Sequence, residues 1–256
     1  MPYADNDDVK IHYQIEGDGA PLLLYHGAFQ SIESWIDCGL VDTFKDTYEM
    51  IMIDARGHGL SDKPHDPASY RMSSLVSDIV AVLDDIGFDR VNFLGFSSGG
   101  YVGFGAMRYA PSRFSSLIIG GAQPYDEWVD SWRPQWRKTL VEKGSEAMEF
   151  ASSLFGSSMS NRLRVIYGLN DVKALSAWMS LDEKLKLDEE LPKTTLPCML
   201  YGGDRDNYSW IGAADRIKVI PRGSYVSLMG AGNHFESFYR PDLLKPHVDE
   251  FIVQNS

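Results

Sequence analysis

The residues able to do chemistry gather around one serine. Gly95-Phe96-Ser97-Ser98-Gly99 follows a run rich in β-formers, Val91-Asn92-Phe93-Leu94, and leads into a segment of helical character. Strand, Gly-x-Ser-x-Gly, helix is the order that puts a serine at the tip of a sharp turn with its hydroxyl presented at the end of a sheet. Gly95 and Gly99 lack the Cβ atoms that would keep strand and helix apart there. The turn also places Ser97 at a helix start, where unpaired N–H groups and the helix dipole favour nearby negative charge. A serine hydroxyl is barely nucleophilic at neutral pH, so it needs a base, and the base needs an orienting partner. Two later loops offer candidates. Gly202-Gly203-Asp204-Arg205-Asp206 follows an apolar run at 197–201, and Gly230-Ala231-Gly232-Asn233-His234 follows another at 225–229. Of the six histidines, His234 alone sits in a glycine-rich loop after the last expected strand.

These loops converge only if the strands before them lie parallel in one sheet, because ligands then bind beyond the carboxyl ends of the strands. The chain supports that arrangement. Val9 to Glu16 alternates apolar and polar residues, the pattern of a strand with one wet face. Pro21 to Tyr25 and Met50 to Ile53 are continuous apolar runs, expected of strands covered on both faces. Ser115 to Ile119 reads the same way. A helix is expected within 36–46. Another is expected over 73–86, with Leu75, Ile79, Val82, Leu83 and Ile86 on one stripe and Gly87 as its stop. The helix from about 98 to 109 holds four glycines, which makes sense only if it is buried centrally. Strands alternating with helices predict a mostly parallel, doubly wound α/β sheet.

That rhythm stops between 123 and 193, where only helical segments are expected, and this stretch reads as an inserted helical subdomain. Trp128, Trp132 and Trp136 share one helical face, although Pro134 is expected to kink or break that helix. Met148, Phe150, Leu154, Phe155, Met159, Leu175, Trp178 and Met179 follow. The sheet pattern resumes at 197, with helices expected near 209–217 and over 241–253.

A length of 256 residues suits one α/β domain with a large core. A net charge of −12 without any Lys/Arg cluster argues against nucleic-acid and anionic membrane surfaces as partners. No apolar run approaches the length of a membrane span, and residues 1–8 show no secretory pattern, so a cytoplasmic location is expected. Cys38 and Cys198 form neither a metal nor a redox spacing, and no metal site or cofactor is expected. The oligomeric state stays open between monomer and homodimer.

Together the motifs resemble the α/β-hydrolase superfamily over nearly the full length. They are His26-Gly27, the loop Asp54-x-Arg56-Gly57-His58-Gly59-x-Ser61, Gly95-x-Ser97-x-Gly99, Gly203-x-x-Asp206 and Gly232-Asn233-His234. The resemblance implies Ser97 as nucleophile, His234 as general base and then acid, and Asp206 as orienting carboxylate. It also implies an oxyanion hole from the backbone N–H groups of Ala28 and Ser98. The 54–62 loop reads as structural. Two departures stand out. Many relatives carry methionine or glutamine at the position of Ser98, and some carry the acid after the preceding strand, where Asp126 is a candidate beside Asp204 and Asp206. Serine at the turn speaks against the haloalkane dehalogenase and epoxide hydrolase branches, which place aspartate there.

The expected activity is acyl-enzyme hydrolysis of a small to medium, largely neutral carboxylic ester or lactone, a small-molecule substrate. Phe29, Trp128, Trp132, Trp136 and Trp178 are expected to line the cleft beneath a helical cap. The same triad also fits carbon–carbon bond hydrolysis, perhydrolysis, cyanohydrin cleavage, or a ligand-binding receptor built on this fold.

Overall fold

The computed structural model describes residues 2–154, 159–206 and 213–255. Its strands are β1 (Tyr3–Asn6), β2 (Val9–Glu16), β3 (Ala20–Tyr25), β4 (Tyr48–Ile53), β5 (Val91–Phe96), β6 (Phe114–Gly120), β7 (Cys198–Gly203) and β8 (Gly223–Leu228). Its helices are α1 (Ile32–Asp37), α2 (Leu40–Phe44), α3 (Met72–Ile86), α4 (Ser98–Tyr109), α5 (Asp126–Lys143), α6 (Glu146–Ser153), α7 (Asn161–Gly168), α8 (Val172–Ser180), α9 (Ala213–Arg216), α10 (His234–Phe238) and α11 (Pro241–Asn255). The strands form one sheet in the order β1-β2-β4-β3-β5-β6-β7-β8. Pairing is antiparallel where β2 meets β1 and β4, and parallel from β4 onward.

The parallel strands are buried for the reason their sequences announce. Leu22 to Tyr25, Met50 to Ile53 and Phe93 to Phe96 are covered on both faces. Strand β5 lies between β3 and β6, so whatever follows it emerges at the centre of the rim. Helix α4 packs on β5 and α3, and its residues 98–107 are all buried. Its glycines make that approach possible: a Cβ on Gly95 would lie 2.6 Å from the Gly99 carbonyl oxygen. Helix α3 closes on Gly87 in the left-handed conformation (φ 79°).

Three features depart from the sequence expectations. Strand β1 extends the sheet at the antiparallel edge. The helix expected within 36–46 is two, because Gly39 at φ 80° interrupts it between α1 and α2. Pro134 does not break α5, which runs unbroken through it. The proline lies on the exposed side, and so does Asp130, whose carbonyl loses its helical partner and can turn to water. Part of the helix expected near 209–217 lies outside the described residues, as does Phe155; α9 falls within the rest. Among the described residues, no helix is long and apolar enough to cross a membrane.

Candidate active site

Ser97 follows β5 at the head of α4, with φ 56° and ψ −122°. A positive φ is uncommon for a residue bearing a Cβ, and such strain persists only where the surroundings over-determine it. Here the Ser97 N–H donates to the Gly120 carbonyl of β6 at 2.7 Å, while its own carbonyl accepts from Tyr101. His234 opens α10 after β8. Asn233 caps that helix through the N–H groups of Phe235 and Glu236, which sets the ring's direction. The ring stacks on Phe96 at 4.9 Å between centroids. Its Nε2 lies 3.1 Å from Ser97 Oγ, and its Nδ1 lies 3.1 Å from Asp206 Oδ2. Asp206 is fully buried and His234 nearly so, which leaves Ser97 as the accessible end of the relay. The structure therefore brings together the three side chains expected to act together.

The other two acids stand elsewhere. Asp204 accepts from the Gly232 N–H at 2.8 Å and ties the loops after β7 and β8 to each other. That backbone contact holds its carboxyl below the usual carboxylate range. Asp126 opens α5 and accepts from the Tyr101 hydroxyl (2.7 Å), the Leu185 N–H (2.8 Å) and the Lys186 N–H (3.2 Å). It joins the outgoing and returning limbs of the insertion to α4.

Ala28 and Ser98 flank Ser97 on the rim, and neither backbone N–H donates to a partner among the described residues. The loop that carries Ala28 is held from several sides. His26 accepts the Ala55 N–H on Nε2 (3.0 Å), so Nδ1 carries the proton it donates to the Gly27 carbonyl (2.8 Å). Gln30 accepts the Gly27 N–H at 2.7 Å. Phe29 sits at φ 66°, a strained conformation costing about 1–3 kcal/mol. Asn170, from the insertion, donates to its carbonyl at 2.9 Å. Gln30 and Asn170 were not expected from the sequence, and no local pattern marks either.

A cavity of about 200 Å³ opens over Ser97 and His234. Phe29, Trp128, Trp132, Trp136 and Phe150 contribute aromatic rings to its wall, and no Asp, Glu, Lys or Arg is among the described lining residues. The ring of Trp136 packs between Phe29 (4.6 Å) and Phe150 (5.7 Å). Trp178 is not among the side chains lining this cavity, contrary to expectation. It packs edge-on against His58 at 5.3 Å and beside Trp132 at 6.4 Å, because α8 lies against α5 and turns that ring inward.

The 54–62 loop serves structure, as its sequence implied. Burial alone would raise the Asp54 carboxyl, but hydrogen bonds from His12 and from the N–H groups of Leu60 and Ile32 hold it below the ordinary range. Arg56 forms a buried two-pronged pair with Asp78 at 2.7 and 2.6 Å. Burial lowers the pKa of His26 and pushes His58 down to about 3. Both rings thus stay neutral in the folded chain at pH values where an unfolded histidine, with its pKa of about 6.5, takes up a proton. The unfolded state then binds more protons, so stability is lost as pH falls below about 6.5. Each such group contributes a slope of up to about 1.4 kcal/mol per pH unit. His58→Asn, which keeps a donor for the Arg56 carbonyl, should flatten the decline in folding free energy between pH 6.5 and pH 4.5. Identical acid profiles for variant and wild type in denaturant titrations would contradict this.

Among the described residues, no group of three or more His, Cys, Asp or Glu side chains is placed to hold a metal ion. Comparison with known proteins agrees with the fold. Residues 20–234 match the family model described as alpha/beta hydrolase fold. Epoxide hydrolase 4 of Mus musculus is 32% identical over 282 aligned positions, covering 97% of this chain and 77% of that protein. The cis-3-alkyl-4-alkyloxetan-2-one decarboxylase of Shewanella oneidensis is 29% identical over 228 positions, covering 83% of this chain and 66% of its own length. A hydrolase structure from Pseudomonas aeruginosa superposes with a TM-score of 0.83 at 20% identity, covering 98% of this chain and 97% of that one. The chain belongs to the alpha/beta hydrolase fold family of enzymes.

Proposed function

We propose that this enzyme hydrolyses small to medium, largely neutral carboxylic esters or lactones through an acyl-enzyme on Ser97. The observation that carries the reading is the relay at the cavity floor, Ser97 Oγ to His234 Nε2 and His234 Nδ1 to Asp206, each at 3.1 Å. Ser97 Oγ attacks the substrate carbonyl while His234 Nε2 takes its proton, and Asp206 holds the imidazole in the tautomer that can accept it. The N–H groups of Ala28 and Ser98 receive the oxyanion. Such a donor typically contributes about 3–4 kcal/mol in the transition state. His234 then returns the proton to the leaving alkoxide, and water releases the acid by the same steps in reverse. In a lactone the alcohol stays tethered to the acyl group throughout, so the acyl-enzyme is a hydroxyacyl ester and water releases a single hydroxy acid.

Size and polarity support the substrate class. A cavity of about 200 Å³ is smaller than the range of roughly 300–1,000 Å³ typical for drug-sized ligands. The aromatic wall offers no cation for an anionic substrate, and the net charge of −12 repels one. The Shewanella relative is named for an oxetan-2-one, a four-membered lactone, which favours keeping lactones in the class. In this reading helices α5 to α8, within 123–193, form a cap over the site, and the single α/β domain carries the chemistry. A panel of esters, lactones and vinylogous diketones on active-site-titrated protein tests it. Turnover confined to the diketones, or binding without turnover, would overturn the assignment.

Selectivity belongs to the aromatic roof. Trp136→Ala should move the ester chain-length optimum upward, with about fourfold in kcat/KM for each methylene newly buried. Trp178→Ala should leave that profile in place and instead cost about 3–5 kcal/mol of stability. Melting temperature and chain-length profile measured on both variants separate wall from core. A shifted profile in Trp178→Ala alone would reverse the assignment.

A further inference from the structure

A second cavity, of about 270 Å³, lies on the other side of the loop after β3. Phe29 and Gln30 line both it and the chamber over Ser97, and no other described residue does. They form a two-residue partition. Its construction is unusual, because a bulky side chain occupies the left-handed conformation there and is kept by contacts from the insertion. Asn170 holds the Phe29 carbonyl at 2.9 Å, and Trp136 packs tilted against its ring at 4.6 Å between centroids. Gln30 is immobilised through its amide oxygen by the Gly27 N–H.

The two chambers differ in chemistry. The catalytic one is aromatic. The far one, though mostly apolar in surface, carries the polar side chains of His12, Gln14, Ser31 and Lys63, and Leu169 stands exposed among its lining residues. His12 is 1% exposed, its Nδ1 is occupied by Asp54, and its Nε2 has no hydrogen-bond partner. A buried polar atom left unpaired is a standing cost that a ligand group can relieve. A hydroxyl both donates and accepts, so it suits that nitrogen whatever its proton. Asp54 and Glu33 also line the chamber, which disfavours a carboxylate.

We propose that Phe29 is the specificity-determining partition of this enzyme. It limits one limb of the substrate to the aromatic chamber, and beyond it lies a subsite for a hydroxyl-terminated chain. The inference rests on the ester reading above and adds to it which residue sets substrate length and what the space behind it prefers.

The test compares wild type, Phe29→Ala and Phe29→Gly on short acyl, long acyl and long ω-hydroxyacyl aryl esters. The glycine variant suits the positive φ and keeps the experiment informative where alanine disturbs folding. Both variants should raise the ratio of kcat/KM for long ω-hydroxyacyl over short esters by about tenfold or more, as two or more methylenes find room. The hydroxyl should add to the gain over a plain chain of equal length. Adding Leu169→Trp, which fills only the far chamber, should take the gain away. An unchanged ratio in variants that still label at Ser97 with a fluorophosphonate would overturn the partition, and so would a gain that survives Leu169→Trp. Failure of the parent reading looks different: wild type itself would neither label at Ser97 nor turn over any ester.

Discussion

Ser97→Ala should lower kcat for an activated aryl ester by about five to six orders of magnitude, the loss seen when the nucleophile of a serine protease triad is removed. Ser97 Oγ has His234 Nε2 as its partner and lies in a half-buried position, so the hydroxyl contributes little to folding. The melting temperature should stay near that of the wild type. Mass spectrometry after fluorophosphonate treatment should find one label, on Ser97, and none in the variant. A labelled variant, or one that keeps a tenth of its activity, would remove the acyl-enzyme from consideration.

The second large effect separates three carboxylates. Asp206→Asn should lower kcat by about four orders of magnitude, because an asparagine facing His234 Nδ1 can hold the wrong tautomer and leave Nε2 without a lone pair for the Ser97 proton. Asp204→Asn keeps an acceptor for the Gly232 N–H, so its effect should stay within about tenfold. Asp126→Asn should leave kcat within the same bound and lower the melting temperature, since its oxygens bind the Tyr101 hydroxyl and the Leu185 and Lys186 amides. A crippled Asp204→Asn or Asp126→Asn enzyme beside an active Asp206→Asn enzyme would refute the order argued here.

What could be read in the sequence was whatever local geometry dictates. Glycines at fixed offsets around Ser97 and His234 announce turns, and continuous apolar runs announce buried parallel strands, so the rim and its three side chains were legible. The roof was legible only by half. Spacing of i, i+4, i+8 shows that Trp128, Trp132 and Trp136 share a face, but not what stands opposite that face. Trp178 was misplaced for that reason: its neighbours His58 and Trp132 come from distant parts of the chain. Strand β1 was missed because four residues carry too little pattern, and its pairing partner β2 decides its state. Nor does any composition rule announce that a phenylalanine will take φ 66°; the restraint comes from Asn170, 141 residues away.

The contacts of Asp126 have an evolutionary reading. One carboxylate, standing where α5 begins, gathers the amides of Leu185 and Lys186 where the chain comes back, and fastens both ends to Tyr101 behind the nucleophile. Those two ends are thus closed on one carboxylate, while Asn170, reaching the Phe29 carbonyl, and Arg162, pairing with Glu33, tie the stretch between them to the rest of the chain at other points. Ser97, Asp206 and His234 all lie outside that stretch, while the tryptophans of the roof lie inside. A lineage with this wiring can trade one roof for another, by insertion, deletion or recombination, and keep Ser97, Asp206 and His234, provided the new roof also supplies a hold for the Phe29 carbonyl. Under the proposed function, substrate range and reaction chemistry are then inherited largely apart.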